Sequence, residues 1–354
     1  MTVQNIEKLD PNLASQGAGD GLRWFDIRHL GMEGHGWGEQ ELPFHRFPGR
    51  AQALIPPPVW ELSRHSAGLA VRFVTASPTL AARWKLRFDG LAMPHMPATG
   101  VSGLDLYVRH EGVWKWTATG IPRAKENSQT LLADLAPRAE REYRLYLPLY
   151  NGCESVEVGV PENETIAKAP PAAGKPICYY GTSITQGGCA SRPGMAYTAI
   201  AARRLDRPHY NFGFSGNGRM EPAVVELLAE LDPSVYVLDA FPNMTVDQIR
   251  ERLAPCIRLL RKAHPVTPIV VMENVLYTSH TLVTSFRAAY EGKNRAAREV
   301  CEALHNEGIT RLTVVPGEIL YGADQEATVD GSHATDLGFM RMAEALVPFL
   351  RPMI

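Results

Sequence analysis

Four short segments in the second half of this 354-residue chain carry the residue types that serine acyl transfer requires: Gly181-Thr182-Ser183, Ser215-Gly216-Asn217, Pro242-Asn243-Met244 and Asp330-Gly331-Ser332-His333. That chemistry needs an activated hydroxyl, a base held in one tautomer, and donors aimed at the oxygen that becomes negative. Ser183 supplies a hydroxyl, Gly216 a backbone N–H and Asn243 a side-chain amide. Asp330 and His333 lie three residues apart in a glycine-containing loop, so one turn brings carboxylate and imidazole side by side. Each segment also has a plainer reading. Ser183 could close a strand-to-helix turn, the glycine segment and Asn243 are ordinary turn chemistry, and Asp-x-x-His could be a capped turn with a solvated ring. Ser215, in Gly213-Phe214-Ser215-Gly216-Asn217, is a rival nucleophile. Neither serine sits in a GxSxG elbow, because Thr185 and Asn217 stand where the closing glycine belongs.

Other chemistry finds less support. His264 and His280 have no partners at ligand spacing, Glu302 and His305 read as an exposed i, i+3 pair, and Gly187-Gly188 belongs to no phosphate-binding loop. With no HExxH and no CxxC, we expect neither metal nor cofactor. Five cysteines, an odd number, in a chain this long argue against a disulfide framework. The formal charge of −2 creates no field that would gather nucleic acid or an anionic membrane. The first residues show no basic stretch followed by an apolar run, so a cytoplasmic protein is expected, although a chain trimmed of its leader would look the same. Oligomeric state is left unassigned.

The elements that must position these residues divide the chain in two. All six tryptophans fall in the first third. Runs such as Leu69 to Val74, Ala82 to Phe88, Leu104 to Val108, Tyr143 to Leu147 and Val156 to Val160 alternate with period two between Pro, Gly and Ser clusters, which predicts an antiparallel sandwich. The proline-rich segment from Ala169 to Pro176 reads as a linker. Beyond it, apolar runs at Ile177 to Tyr180, Tyr210 to Phe212, Val235 to Leu238, Ile269 to Met272 and Leu312 to Val315 alternate with helical stretches near 196–205, 221–231, 245–263 and 285–307. A parallel sheet covered on both faces is expected. A last helix from about Asp336 to Leu350 follows, with Thr335 or Asp336 as N-cap. The predicted domains are 1–168 and 169–354. Each site segment but the last falls just after a strand, on the carboxyl edge where open parallel sheets bind ligands. The Asp330/His333 loop precedes the last helix.

Taken together, the C-terminal half resembles the SGNH branch of the GDSL esterase and lipase superfamily, whose Ser, Gly, Asn and His match Ser183, Gly216, Asn243 and His333 in order. The resemblance implies a flavodoxin-like three-layer α/β/α fold and a triad of Ser183, His333 and Asp330. It also implies an oxyanion hole made by the N–H groups of Ser183 and Gly216 and the Asn243 amide. Thr182 replaces the Asp of the literal GDS triplet, and Asn243 arrives in Phe241-Pro242-Asn243-Met244 rather than GxND. Both variants resemble a subgroup in which a jelly-roll-like β-sandwich precedes the hydrolase domain, and Ser102-Gly103-Leu104-Asp105-Leu106-Tyr107 is similar to its GxDLY signature. The implied activity is a serine esterase acting on short acyl, chiefly acetyl, esters of carbohydrates or other small alcohols. Two alternatives stay open: an acyltransferase that moves an acyl group from an acyl-CoA-type thioester to an alcohol, and a catalytically silent glycan-binding protein. In the first half, the Met93-Pro94-His95-Met96-Pro97 loop could roof the site, making His95 a candidate substrate contact. The tryptophans are expected in the sandwich core.

Overall fold

Alternation in the first half pairs ten strands into two antiparallel sheets in the computed structural model, which describes residues 21–38 and 42–354. Strands β1 (Leu22–Asp26), β9 (Cys153–Pro161), β4 (Leu80–Leu86) and β7 (Glu126–Leu132) form one sheet in that order. The other runs β10 (Ala167–Lys168), β3 (Ala70–Thr75), β8 (Arg141–Tyr146), β5 (Leu104–His110), β6 (Val113–Gly120), with β2 (Met32–Glu33) also beside β3. Their facing side chains, among them Trp84 and Val156 from one sheet and Phe73 and Leu145 from the other, interlock into one core. Two short helices, α1 (Pro57–Ser63) and α2 (Ala98–Val101), lie in the connections. Of the six tryptophans only Trp84 lies in the sandwich core as expected; Trp60 is buried too, but against the parallel-sheet half. Trp116 is 51% exposed, and Trp24 lies under the Arg83 guanidinium. An indole N–H needs a partner, which draws such rings to places where one end meets polar groups.

In the second half, β11 (Ile177–Gly181), β12 (His209–Gly213), β13 (Val235–Asp239), β14 (Ile269–Met272) and β15 (Leu312–Val315) make a fully parallel sheet of order β12-β11-β13-β14-β15. This is the flavodoxin-like order, with β11 and β13 flanking the switch point. Cys178 and Tyr180 face α5 (Pro222–Leu228), α6 (Val246–Ala263) and α7 (Thr284–Asn306); Ile177 and Tyr179 face α4 (Tyr197–Leu205) and α8 (Asp336–Leu350). Helix α3 (Ser183–Gln186) follows β11. The Thr335 side chain caps α8 by accepting from Gly338 N. Among the described residues no helix is long and apolar enough to cross a membrane.

The Asp of the GxDLY signature fastens the halves together. Asp105 is fully buried; its Oδ2 accepts from Gly194 N at 2.7 Å and Arg192 Nη1 at 2.8 Å, and its Oδ1 accepts from Trp116 Nε1 at 2.9 Å. Burial pushes its carboxyl up to about 6, with Arg192 pulling the other way. Tyr107 also accepts from Arg192, at 2.6 Å. Thr99 Oγ1 donates to Ser191 O at 2.6 Å, so the sandwich grips the stretch between α3 and α4 at several points. Beneath α3 lies a second buried acid, Asp239, at the end of β13. Its Oδ2 accepts from Thr185 Oγ1 at 2.8 Å and Tyr197 OH at 3.1 Å, while Oδ1 has no partner among the described residues. Burial pushes this carboxyl up to about 7 against those two bonds.

Two outcomes follow from these acids. Asp105→Ala strands three donors at a buried joint, which should cost about 3–5 kcal/mol; urea unfolding reads it directly, and a loss below about 1 kcal/mol would make the clamp marginal. Asp239 binds its proton more tightly folded than unfolded, so its contribution to stability is complete below its ordinary value of 3.8 and is lost as pH rises through about 7. Asp239→Asn cannot ionise. The melting temperature of that variant relative to wild type should therefore climb between about pH 4 and pH 7 and then level off; a difference independent of pH would contradict the buried neutral acid.

Candidate active site

Ser183 is the first residue of α3 and emerges at the carboxyl end of β11, with Thr182 as N-cap accepting from Ile184 N at 3.3 Å. Its Oγ lies 2.8 Å from His333 Nε2. On the far side of the ring, His333 Nδ1 lies 2.7 Å from Asp330 Oδ2. An ionised carboxylate only accepts, so Nδ1 carries the ring proton and Nε2 is left to accept from the serine hydroxyl. Burial pulls the Asp330 carboxyl upward, but the backbone N–H and ring of His333 and the N–H of Ser332 outweigh it, leaving the group below its usual value. The loop is tied down by Tyr321 OH to Ser332 O at 2.8 Å, Thr278 N to Gly331 O at 2.9 Å and Val329 N to His333 O at 2.8 Å.

Gly216 and Asn243 come from the loops after the two strands that flank β11. Gly216 adopts φ +67°, the left-handed region where glycine carries no penalty. An added Cβ there would meet no protein atom, so it is the backbone conformation that calls for glycine. At Gly181 a Cβ would collide with Thr185 Oγ1 and Asp239 O, so glycine there permits close approach. Asn243 Nδ2 donates to Asn217 O at 2.6 Å, which orients the amide and leaves its second hydrogen available. Lys293 Nζ donates to Pro242 O at 3.0 Å, bracing the turn from α7, and burial lowers its ammonium to about 8.

Ser215 stands apart from this relay. Its backbone N–H donates to Gln186 Oε1 at 3.1 Å, and its side chain meets the Tyr150 phenol rather than an imidazole. His95, from the sandwich, reaches His333 with ring centroids 5.8 Å apart. His264 Nε2 contacts Ala229 O and His280 Nδ1 contacts Tyr277 O, both backbone carbonyls, while Glu302 and His305 lie exposed on α7. Sequence reasoning missed Arg46 and Gln186. Arg46 is buried, donates to the carbonyls of Asn211, Gly213, Leu62 and His65 at 2.5–3.1 Å, and stacks on Phe214. Its signal was a lone charge among aromatics and prolines, in Pro43-Phe44-His45-Arg46-Phe47-Pro48. Gln186 Nε2 donates to Leu149 O at 3.0 Å, joining α3 to the sandwich.

Comparison with known proteins agrees with this architecture. Residues 174–351 match the GDSL-like lipase/acylhydrolase family, and residues 22–166 match the GxDLY domain, the N-terminus of SGNH-hydrolase-type esterases. A Bacteroides ovatus ATCC 8483 protein described as a GDSL-like lipase is 35% identical, with a TM-score of 0.89 over 94% of this chain and 98% of its own. A salicylyl-acyltransferase from a tetracycline biosynthetic pathway shares the fold at 20% identity, with a TM-score of 0.72 over 93% of this chain and 96% of its own. A family two carbohydrate esterase from Clostridium thermocellum, in complex with cellohexaose, shares it at 16% identity, with a TM-score of 0.58 over 80% and 91%. No curated protein sequence matches. With a serine, an imidazole and a carboxylate in line at the carboxyl edge of a flavodoxin-like sheet, and a GxDLY sandwich ahead of it, the chain belongs to the GDSL-like lipase/acylhydrolase family.

Proposed function

We propose that this protein is a serine esterase that cleaves short acyl, chiefly acetyl, esters of carbohydrates or other small alcohols, with residues 1–168 as its sandwich domain and 169–354 as its catalytic domain. The observation that carries the reading is the relay from Ser183 Oγ through His333 to Asp330, with contacts of 2.8 and 2.7 Å. His333 Nε2 takes the hydroxyl proton as Ser183 Oγ attacks the ester carbonyl, and Asp330 stabilises the imidazolium. The N–H groups of Ser183 and Gly216 and the Asn243 amide receive the oxyanion. The intermediate collapses as His333 returns the proton to the departing alcohol, leaving an acyl-serine. Water, deprotonated by the same nitrogen, releases the acid and restores the hydroxyl. Carbohydrate esters are favoured by the likeness to the family two carbohydrate esterase named above. No step calls on a metal or cofactor.

One observation favours a second reading. The acyltransferase of the tetracycline pathway aligns with a TM-score of 0.72, against 0.58 for that carbohydrate esterase. The acyl-serine is common to both outcomes, and only the second acceptor differs.

Ser183→Ala should lower turnover by roughly 10⁴–10⁶-fold while the melting temperature stays near that of wild type. It should also lose labelling by a fluorophosphonate, and retained activity or labelling would sink the nucleophile assignment together with the relay. A wild-type protein that takes no label would instead support the glycan-binding alternative. For Asn243→Ala, kcat should fall by about 10²–10³ with KM little changed, as for removal of one oxyanion donor; a change confined to KM would contradict that role. Incubation with an acyl-CoA plus an added alcohol separates the two readings, since ester formed in excess of acid released identifies a transferase.

A further inference from the structure

We propose that His95, Cys189 and His333 form a binding site for a thiophilic divalent metal, Zn²⁺ or Cd²⁺, and that occupancy of this site shuts off the triad. The inference rests on the triad reading above. A ring nitrogen of each histidine and the Cys189 sulfur lie within 4.8 Å of one another. The three come from separate segments that sequence spacing cannot relate: a sandwich loop, the turn after α3, and the loop before α8. Two imidazoles and a thiolate are the donor set of a borderline-soft ion, and an open fourth position is typical of zinc held by three protein ligands.

The arrangement is built rather than incidental. His95 sits at the tip of a tight turn closed by paired backbone bonds, Met93 N to Met96 O at 3.0 Å and Met96 N to Met93 O at 3.1 Å, and Met96 anchors that turn in the core. Cys189 is buried and holds φ +75°, a conformation that side-chain-bearing residues seldom adopt. It follows Gly187 and Gly188, whose N–H groups both donate to Ser183 O, at 3.0 and 2.8 Å, so the nucleophile's own carbonyl fixes this turn. His333 receives the outer support that metal-binding histidines ordinarily have, a carboxylate on its Nδ1. In a tetrahedral zinc site, bond lengths of about 2.0–2.3 Å place ligand atoms roughly 3.5 Å apart. The exposed His95 ring can swing to close the remaining ångström.

Inhibition follows from the bonding. Both ring nitrogens of His333 are engaged, Nε2 with Ser183 and Nδ1 with Asp330. A metal on Nε2 takes the lone pair that must receive the serine proton, and a metal on Nδ1 displaces the carboxylate. Either way the hydroxyl loses its base, and removal of the metal restores it.

The test has a binding arm and an activity arm. Titration of the wild-type protein with Co²⁺ should give a thiolate-to-cobalt charge-transfer band saturating at one equivalent and bleached by Zn²⁺; Cys189→Ser should abolish the band, and His95→Ala should weaken Co²⁺ binding at least tenfold. Zn²⁺ should inhibit ester hydrolysis reversibly, with EDTA restoring the rate, and Cys189→Ser, referred to its own metal-free rate, should raise the inhibition constant at least tenfold. No thiolate band in the wild type, equal inhibition of the wild type and Cys189→Ser, or activation by Zn²⁺ would each overturn the proposal. Because the band needs no turnover, a protein that binds Co²⁺ through Cys189 but shows neither hydrolysis, acyl transfer nor fluorophosphonate labelling would condemn the triad reading and not the metal site.

Discussion

The site depends on a place where two loops meet backbone to backbone. A Cβ at Gly218 would overlap the carbonyl oxygen of Gly181, and a Cβ at Gly213 would overlap the backbone of Gln186. The turn that carries Ser183 and the loop that carries Gly216 are thus as close as polypeptide chains can come, with no side chain between them. In the proposed mechanism, that proximity lets a hydroxyl and a separate backbone N–H reach one carbonyl. Such a crossing leaves carbonyls buried and in need of donors, since an unpaired buried polar group costs about 1–3 kcal/mol. Arg46 meets this need by donating to Asn211 O and Gly213 O, and it does so without a carboxylate partner among the described residues. Burial lowers its guanidinium to about 9, with the Tyr150 phenol pulling weakly the other way.

Arg46 and Asp105 belong to the first half of the chain, yet both act on backbone of the second. Asp105 takes the N–H of Gly194 and the Arg192 guanidinium; Arg46 takes the carbonyls at the end of β12. The sandwich is therefore not a passenger beside a complete hydrolase. It contributes buried charges that fix the stretches on either side of the Ser183 turn, and removing it would leave those amides and carbonyls to find water.

How much of this could be read from sequence follows from where each residue's partners lie. Ser183, Gly216, Asn243, Asp330 and His333 stood out as candidates because acyl transfer restricts residue types, and because strand and helix periodicity placed most of them at one sheet edge; the contacts of 2.8 and 2.7 Å join Ser183, His333 and Asp330. The parallel strands were visible because both of their faces are buried. Strands β6 and β7 passed unnoticed: much of each is exposed, so neither shows a clean alternation. Arg46, Gln186 and Asp239 act through main-chain groups or partners tens of residues away, and such contacts leave no periodic trace. The GxDLY aspartate was recognisable as part of a pattern, but its work as a clamp became apparent only with Arg192 and Gly194 beside it.

The remaining question is which acceptor takes the acyl group, and the geometry narrows where the answer lies. In the proposed mechanism Gly216 and Asn243 hold the carbonyl oxygen, so the leaving alcohol must depart on the side from which His333 can return its proton. The second acceptor, water or alcohol, must approach that same nitrogen, because the two half-reactions traverse one transition-state geometry in opposite senses. His95 stands 5.8 Å from the His333 ring, on a loop of the sandwich anchored by Met96. The acyl side of the site is thus built by the parallel sheet and its loops, and the neighbour of the acid-base nitrogen comes from the other domain. In that mechanism, a change in the sandwich loop would alter what approaches the acid-base nitrogen without moving Ser183, His333 or Asp330.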